Sequence, residues 1–542
     1  MKTLYAATAV AALTLGIGTA AFGAGGTATA APVSITPTST ANGYLFLDQM
    51  MDKYATGTTP RLVQSFVADS AMGAFTDSVT YDDALIVDAF LARGTADDIA
   101  RAKVIGNALL YVQSNDAKHD GRIRAAYAPT PLTAPSKVSA TDDTSDVGNM
   151  AWDGQALVQL YARTGDASYL TGATSIANWI QANAYDTRGA GGYTGGYDSS
   201  GKLTWKSTEH NLDVFSFFSM LATETGNSTW STRAGYAKTF VDAMWDSAGV
   251  KYWVGTGTDG VALNKDFLPE DVNTWTYLAF KDASRAASID WDVAHLAVTD
   301  GSFTGVSFGA CDRSKVWFEG TAHLADALAV RNGSGDAAKA QAYLNSIQLA
   351  QTTALHNNGL GIVAASHDKL SDCDSDYYYA APHTGATSWY LLAGTAANPF
   401  YLLSAPPVGK LYEAEASSNT VSGPANVIAC SACSGGQRVG HLGKQSTGVG
   451  TLTFNGVSVS GGAGAYQVVV AFTNGSASRT AQISVNGGAP QTVTFGTTGS
   501  FSAPGSQTVT LTLAAGTNTI SFTNATAAAP DIDAITVPAA HS

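Results

Sequence analysis

Six stretches of the chain place polar and aromatic residues at the head of an apolar run. They are Thr80-Tyr-Asp-Asp-Ala, Asp146-Val-Gly-Asn-Met-Ala-Trp152, Ser207-Thr-Glu-His-Asn-Leu-Asp213, Pro269-Glu-Asp-Val-Asn-Thr-Trp275, Val316-Trp-Phe-Glu-Gly-Thr-Ala-His323 and His383-Thr-Gly-Ala-Thr-Ser-Trp389. Carboxyl groups recurring beside indoles match the needs of glycosidic-bond cleavage: one protonated acid for the leaving oxygen, one carboxylate for water, and apolar faces for sugar rings. The candidate catalytic residues are Glu209, Glu319, Asp271 and Asp146. Candidate substrate contacts are Trp152, Trp205, His210, Trp275, Trp317, Tyr378 and His383.

A second explanation competes at every one of these acids, because Asp, Glu, Ser and Thr are favoured in the first turn of any helix by capping and by the helix dipole. For Asp82, Asp83 and Glu270 capping accounts for the sequence as well as function does. Ser207 or Thr208 can cap the third helix, which leaves Glu209 spare beside Trp205. Glu319 follows Trp317-Phe318 in a helix with little else polar, where an acid must be paired or have its pKa raised. Asp146 and Asp271 contend for the base or for a sugar hydroxyl, and His210, Asn211, His323 and His383 for hydroxyl binding or plain structure. Tyr377-Tyr-Tyr379 and Gly191-Gly-Tyr-Thr-Gly-Gly-Tyr197 read equally as walls of sugar subsites or as packed loops.

These residues need helices to hold them. The six runs are nearly apolar past their opening turn, as for helices buried on all sides. Between them, amphipathic stretches such as Asp97 to Gln113, Tyr169 to Asn183, Ser231 to Trp245 and Asp336 to Leu349 read as surface helices. With an early helix at Gly43 to Tyr54, the alternation predicts an (α/α)₆ toroid over residues 35–403. Parallel inner helices then gather their N-termini, and the acids with them, at one end of the ring.

The motifs Ser207-Thr-Glu-His-Asn-Leu-Asp213 and Trp317-Phe-Glu-Gly-Thr-Ala-His323, with the sixfold pattern, resemble the six-hairpin glycosidases. The resemblance implies a glycoside hydrolase of inverting mechanism, with Glu209 as acid, Glu319 or Asp271 as base, and no cofactor for catalysis.

Beyond a linker at 404–410 the character changes. Short alternating runs separated by Gly, Ser and Asn predict an antiparallel β-sandwich (jelly-roll) over 411–538. Its only acids are Glu413, Glu415, Asp531 and Asp533, two near each end. First and last strands of a sandwich commonly adjoin, and alternate residues share a face, so these carboxylates are expected to converge where a hard cation wants oxygens. Tyr412-Glu-Ala-Glu415, Cys430-Ser-Ala-Cys-Ser-Gly-Gly436, Ser484-Val-Asn-Gly-Gly488 and Ala529-Pro-Asp-Ile-Asp-Ala-Ile535 are together similar to a family-35 carbohydrate-binding module. That resemblance implies a structural Ca²⁺ on Glu413, Glu415 and Asp533, and sugar bound near Asn524 and Asp531. All ten tryptophans precede residue 404, so this segment suits a small sugar epitope rather than a long stacked glycan.

Residues 1–30 read as a secretory signal: an apolar run closed by the small-residue sequence Ala28-Thr-Ala30. A secreted, extracellular protein is expected. Cys311 with Cys373 and Cys430 with Cys433 then suggest one disulfide in each part. With 29 Lys and Arg against 43 Asp and Glu, the net charge is −14, which disfavours nucleic acid or an anionic membrane as partner. The partner expected is a neutral polysaccharide or oligosaccharide, and the chain is expected to be a monomer. Gly255-Thr-Gly-Thr-Asp-Gly260 has dinucleotide spacing, but no apolar helix opens at its last glycine, so it reads as a loop. Two other functions stay open: a polysaccharide lyase on the same toroid, and a non-catalytic glycan-binding protein.

Overall fold

The structure, a computed structural model, describes residues 33–55, 60–68, 72–73, 75–132, 144–373, 376–403, 410–459 and 462–538. The expected signal at 1–30 and positions 404–409 of the expected linker lie outside the described residues. Among the described residues no helix is long and apolar enough to cross a membrane.

Twelve α-helices lie between residues 37 and 394. They are α1 (Pro37–Asp52), α2 (Thr80–Arg93), α3 (Ala96–Asn115), α4 (Val147–Thr164), α5 (Ala167–Asn183) and α6 (Thr208–Thr225), then α7 (Ser228–Ala243), α8 (Asp271–Phe280), α9 (Ala287–His295), α10 (Phe318–Arg331), α11 (Asp336–Thr353) and α12 (Thr384–Gly394). The even-numbered helices start where the six sequence clusters stand. Each contacts the next, α2 on α4, α4 on α6, α6 on α8, α8 on α10, α10 on α12, and α12 returns to α2. An odd-numbered helix flanks each of them: α3 packs on α2, α5 on α4, α7 on α6, α9 on α8, α11 on α10 and α1 on α12. One hydrophobic core runs from Tyr44 to Phe400 through all twelve. The short helix α9 escapes a periodicity search because only Ser288, Ile289 and Asp292 of it are buried.

Short extended pairings fix where the even-numbered helices begin. Ser78 pairs with Tyr127 before α2, Ser145 with Tyr197 before α4, and Ser207 with Gly255 before α6. Isolated bridges do the same before α8 (Pro269 with Gly309), α10 (Trp317 with Val306 and Ala365) and α12 (His383 with Phe66). Each helix start is thereby hydrogen-bonded to a neighbouring connection. The Gly255 segment, paired on both sides, is a strand of this kind and no phosphate loop.

Residues 410–537 form two antiparallel sheets with a hydrophobic core of their own. Tyr466, Val468, Val470 and Phe472 point inward on one long strand, and Leu452 and Phe454 on a strand of the other sheet. The first strand, Lys410–Glu413, lies against the last, Asp531–Val537, with Glu413 opposite Ala534. Both expected disulfides are present, Cys311 with Cys373 and Cys430 with Cys433.

Among the described residues, the helical core buries acids that form no ion pair. Asp88, Asp153 and Asp326 sit in α2, α4 and α10 fully shielded from solvent. Burial pushes Asp326 up to about 7, with Lys281 pulling weakly the other way. The folded chain therefore holds this proton more tightly than the unfolded chain does. Its stabilising contribution is complete below the ordinary carboxylate range and is lost as pH rises through about 7. Asp326→Asn should leave the urea midpoint nearly unchanged at mildly acidic pH and raise it at mildly alkaline pH, flattening the pH dependence of stability.

Candidate active site

Three helices each deliver one acid in their first turn: Glu209 from α6, Asp271 from α8 and Glu319 from α10. Capping does not consume them. Ser207 Oγ caps α6 by accepting from the His210 amide at 3.2 Å, and α8 and α10 have no side-chain cap. Asp146 is different: its carboxylate accepts from the Asn149 amide at 2.8 Å and is the N-cap of α4. Asp83 accepts from the Val63 amide at 2.9 Å and the Ser78 hydroxyl at 2.5 Å, tying the chain before α2 to that helix.

The three acids perturb one another. Burial pushes Glu209 up to about 8; Asp271, Asp146 and Glu319 add to the rise and His210 opposes it. Burial pushes Asp271 up to about 7, helped by Asp292 and Glu319 and opposed by the Val272 amide. Burial pushes Glu319 up to about 7, with Asp82 adding and with His383 and the Tyr81 hydroxyl opposing. Among the described residues no Lys or Arg forms an ion pair with any of them; the ion-pair partners of Glu319 are His323 and His383. All three acids are thus held above the ordinary carboxylate range, so that near neutral pH the cluster is not fully ionised.

Surrounding groups fall into a rim and a floor. Trp205, His210 and Tyr378 are partly exposed, with Trp205 and His210 rings 5.5 Å apart. Gly148 of α4 leaves the space in which the His210 ring lies. Tyr378 faces all three acids; burial raises its phenol first, and Glu319, Asp271 and Glu209 raise it further. By contrast Trp152 and Trp275 are buried, packed on each other at 5.4 Å and on Trp389 and Phe400. Trp317 is covered by Phe308, Tyr378 and His323. The three indoles expected to contact substrate are thus buried, with faces that meet other rings. His383 is likewise buried and bonded to Asp82.

Sequence reading missed Tyr81, whose hydroxyl donates to Glu319 Oε1 at 2.8 Å, and the buried acids Asp213 and Asp292 behind the cluster. For Asp213 a signal existed: an aspartate inside an apolar helical run is a poor helix former there.

In the sandwich, Glu413, Glu415 and Asp533 come together. Like-charge repulsion from Glu413 and Asp533, after burial, raises Glu415, and Glu413 also raises Asp533. Ser434 donates its hydroxyl to Glu413 at 2.6 Å and its amide to Asp533 at 3.2 Å. One buried oxygen on each acid, Glu413 Oε2, Glu415 Oε2 and Asp533 Oδ1, has no hydrogen-bond partner. Among the described residues no group of three His, Cys, Asp or Glu side chains stands at ready-made metal spacing. Asp531 turns away to a buried ion pair with Arg438 at 2.9 Å. The Asn524 side-chain amide is bonded to Thr480, Thr526 and Ala527.

Comparison with known proteins bears on the sandwich alone. Residues 451–537 match the CBM13-like family described as "Alpha-galactosidase, CBM13 domain". Among solved structures, a family 35 carbohydrate binding module from Clostridium thermocellum is 38% identical, covering 24% of this chain and 98% of its own, with a TM-score of 0.23. An exo-beta-1,3-galactanase from Phanerochaete chrysosporium is 35% identical over 24% of this chain and 29% of its own, TM-score 0.22. A CBM35 from Paenibacillus barcinonensis is 25% identical over 24% and 98%, TM-score 0.21. No curated protein matches the chain. The family match supports a carbohydrate-binding module at the C-terminus, behind a helical N-terminal region that it does not reach.

Proposed function

We propose that the chain is a secreted glycoside hydrolase acting on a neutral glycan. Its helical part is an (α/α)₆ toroid that cleaves, and its sandwich is a module that holds sugar. The observation that carries this reading is the meeting of Glu209, Asp271 and Glu319 from three helix starts, with Glu209 pushed up to about 8 and Asp271 to about 7. Carboxyls whose environments hold their pKa values apart are how a glycosidase assigns acid and base. Glu209, with the highest value and a partly exposed side chain, keeps its proton at neutral pH and donates it to the leaving oxygen. Asp271 or Glu319 takes the proton of the attacking water, which inverts the anomeric centre. Trp205, His210 and Tyr378 form the rim that a sugar ring meets first. The closed cycle of α2, α4, α6, α8, α10 and α12, each with an outer partner, supports the toroid. The family match, both disulfides and the leader-like residues 1–30 support an extracellular carbohydrate-active protein.

In the module, Glu413, Glu415 and Asp533 fit a Ca²⁺ ion: hard oxygen donors, each with one buried oxygen unpartnered. The ion would relieve their mutual repulsion and tie the first strand to the last. Asp531 and the loop of Asn524 flank the place where the module is proposed to meet its sugar.

Purified full-length protein incubated with a panel of neutral polysaccharides should release shorter reducing sugars of inverted anomeric form. Glu209→Gln and Glu319→Gln should each cost about 10² to 10⁴ in turnover with the fold kept. Activity should fall as pH drops below about 7, where the base becomes protonated, and as pH rises above about 8, where Glu209 loses its proton. Unsaturated uronate products would contradict hydrolysis, and full activity in both variants would contradict the assignment. For the module, Ca²⁺ at about 100 times its Kd should stabilise by about 2.7 kcal/mol, and a chelator should remove that gain. A thermal midpoint indifferent to both would overturn the Ca²⁺ assignment.

A further inference from the structure

Hydrogen-bond directions around Glu319 follow from donor chemistry. An indole N–H only donates, so the 2.8 Å contact of Trp389 Nε1 with the Tyr81 oxygen uses that oxygen as acceptor. The Tyr81 hydroxyl hydrogen is then directed to Glu319 Oε1, 2.8 Å away. A proton on this carboxyl must therefore sit on Oε2, the oxygen 3.4 Å from His383 Nδ1. On the other side of the imidazole, Nε2 is 3.1 Å from Asp82 Oδ2 and carries a hydrogen toward it. Phe66 stacks on the ring at 4.0 Å and fixes its plane, and a Cβ on Gly385 would strike the space where Asp82, His383 and Glu319 meet.

Nδ1 also accepts from the Ala386 amide at 3.3 Å as the cap of α12. Oε2 lies 3.4 Å from the same nitrogen, close enough for the charge on either group to be felt by the other. We propose that Asp82 and His383 are positioning residues that set the protonation state of Glu319 by sharing one proton between His383 Nδ1 and Glu319 Oε2. In one arrangement His383 is neutral with Nδ1 accepting the Ala386 amide, and Glu319 keeps its proton on Oε2. In the other, Nδ1–H of an imidazolium, stabilised by Asp82, donates to ionised Glu319 and gives up the cap. The proton moves within the pair, and none is gained or lost.

The other groups facing Glu319 do not replace this pair. His323 Nε2 is 3.9 Å from Oε1, and burial holds that imidazole well below its usual range while Glu270 binds its Nδ1. Glu209, Asp271 and Glu270 are acids that supply no positive charge, and Tyr378 is a phenol that burial keeps protonated. His383 is the one neighbour for which Asp82 and Glu319 both favour the charged form.

This inference rests on Glu319 being one of the reacting carboxyls, so its test reads the proton directly. Full-length protein labelled with ¹³C at glutamate carboxyls and ¹⁵N in histidine rings is titrated by NMR, with the Glu319 signal identified by its loss in Glu319→Gln. His383→Gln removes the facing cation and should raise the Glu319 midpoint by about one to three pH units. Asp82→Asn should lower the His383 midpoint by about one unit or more. A Glu319 midpoint that stays put in folded His383→Gln would overturn the proposal. If that variant does not fold, an unmoved His383 midpoint in Asp82→Asn would overturn it. A midpoint that moves in a protein that cleaves no glycan would keep the pair and sink the hydrolase reading. In an active enzyme, the pH–rate limb belonging to Glu319 should shift with it.

Discussion

Burying carboxyl groups among apolar helices without a Lys or Arg to pair them is the interaction on which the rest of this molecule depends. An isolated carboxylate in such surroundings is prohibitively costly, so the group keeps its proton or finds a hydrogen-bond partner. Both solutions occur, often together. Asp326 and Glu209 are raised, and Asp83 and Glu319 are raised as well although Asp83 is bonded by an amide and a hydroxyl and Glu319 by Tyr81 beside His383. Acids that retain protons at neutral pH are the reagents that proton transfer to a leaving oxygen requires.

The scaffold makes this tolerable by bringing the acids in at helix starts. There the unpaired backbone amides and the positive end of the helix dipole offset part of the cost of a negative charge. Short extended pairings before each even-numbered helix fix those starts relative to one another, so Glu209, Asp271 and Glu319 meet although they lie on separate helices. Trp152, Trp275, Trp389 and Phe400 form a buried aromatic floor, which lowers the local dielectric and strengthens each charge interaction beside it.

Much of this was legible in the sequence, and the boundary of legibility has a physical cause. Polar clusters opening apolar runs located all six even-numbered helices, because capping chemistry and buried periodicity are local properties. Both disulfides and the pairing of the first and last strands of the sandwich were also legible from composition and position. Contacts between distant residues were not. Tyr81 and His383 lie far in sequence from Glu319 and Asp82, respectively, so no window of sequence displays their hydrogen bonds. Nor does an indole reveal whether it will face a cleft or another ring: Trp205 remained at the rim while Trp152, Trp275 and Trp317 were packed under it. Helix α9, nine residues long with only three of them buried, carries too little periodicity to be seen.

The cluster and the sugar-binding module make different demands of one ligand, and a bound structure separates them. A crystal structure of Glu209→Gln soaked with neutral oligosaccharides tests the central claim most directly. The result expected is a glycosidic oxygen within hydrogen-bond reach of residue 209, with a water held by Asp271 or Glu319 on the opposite face of the sugar. Sugar bound to the sandwich alone, with Trp205, His210 and Tyr378 untouched at saturating ligand, would contradict it.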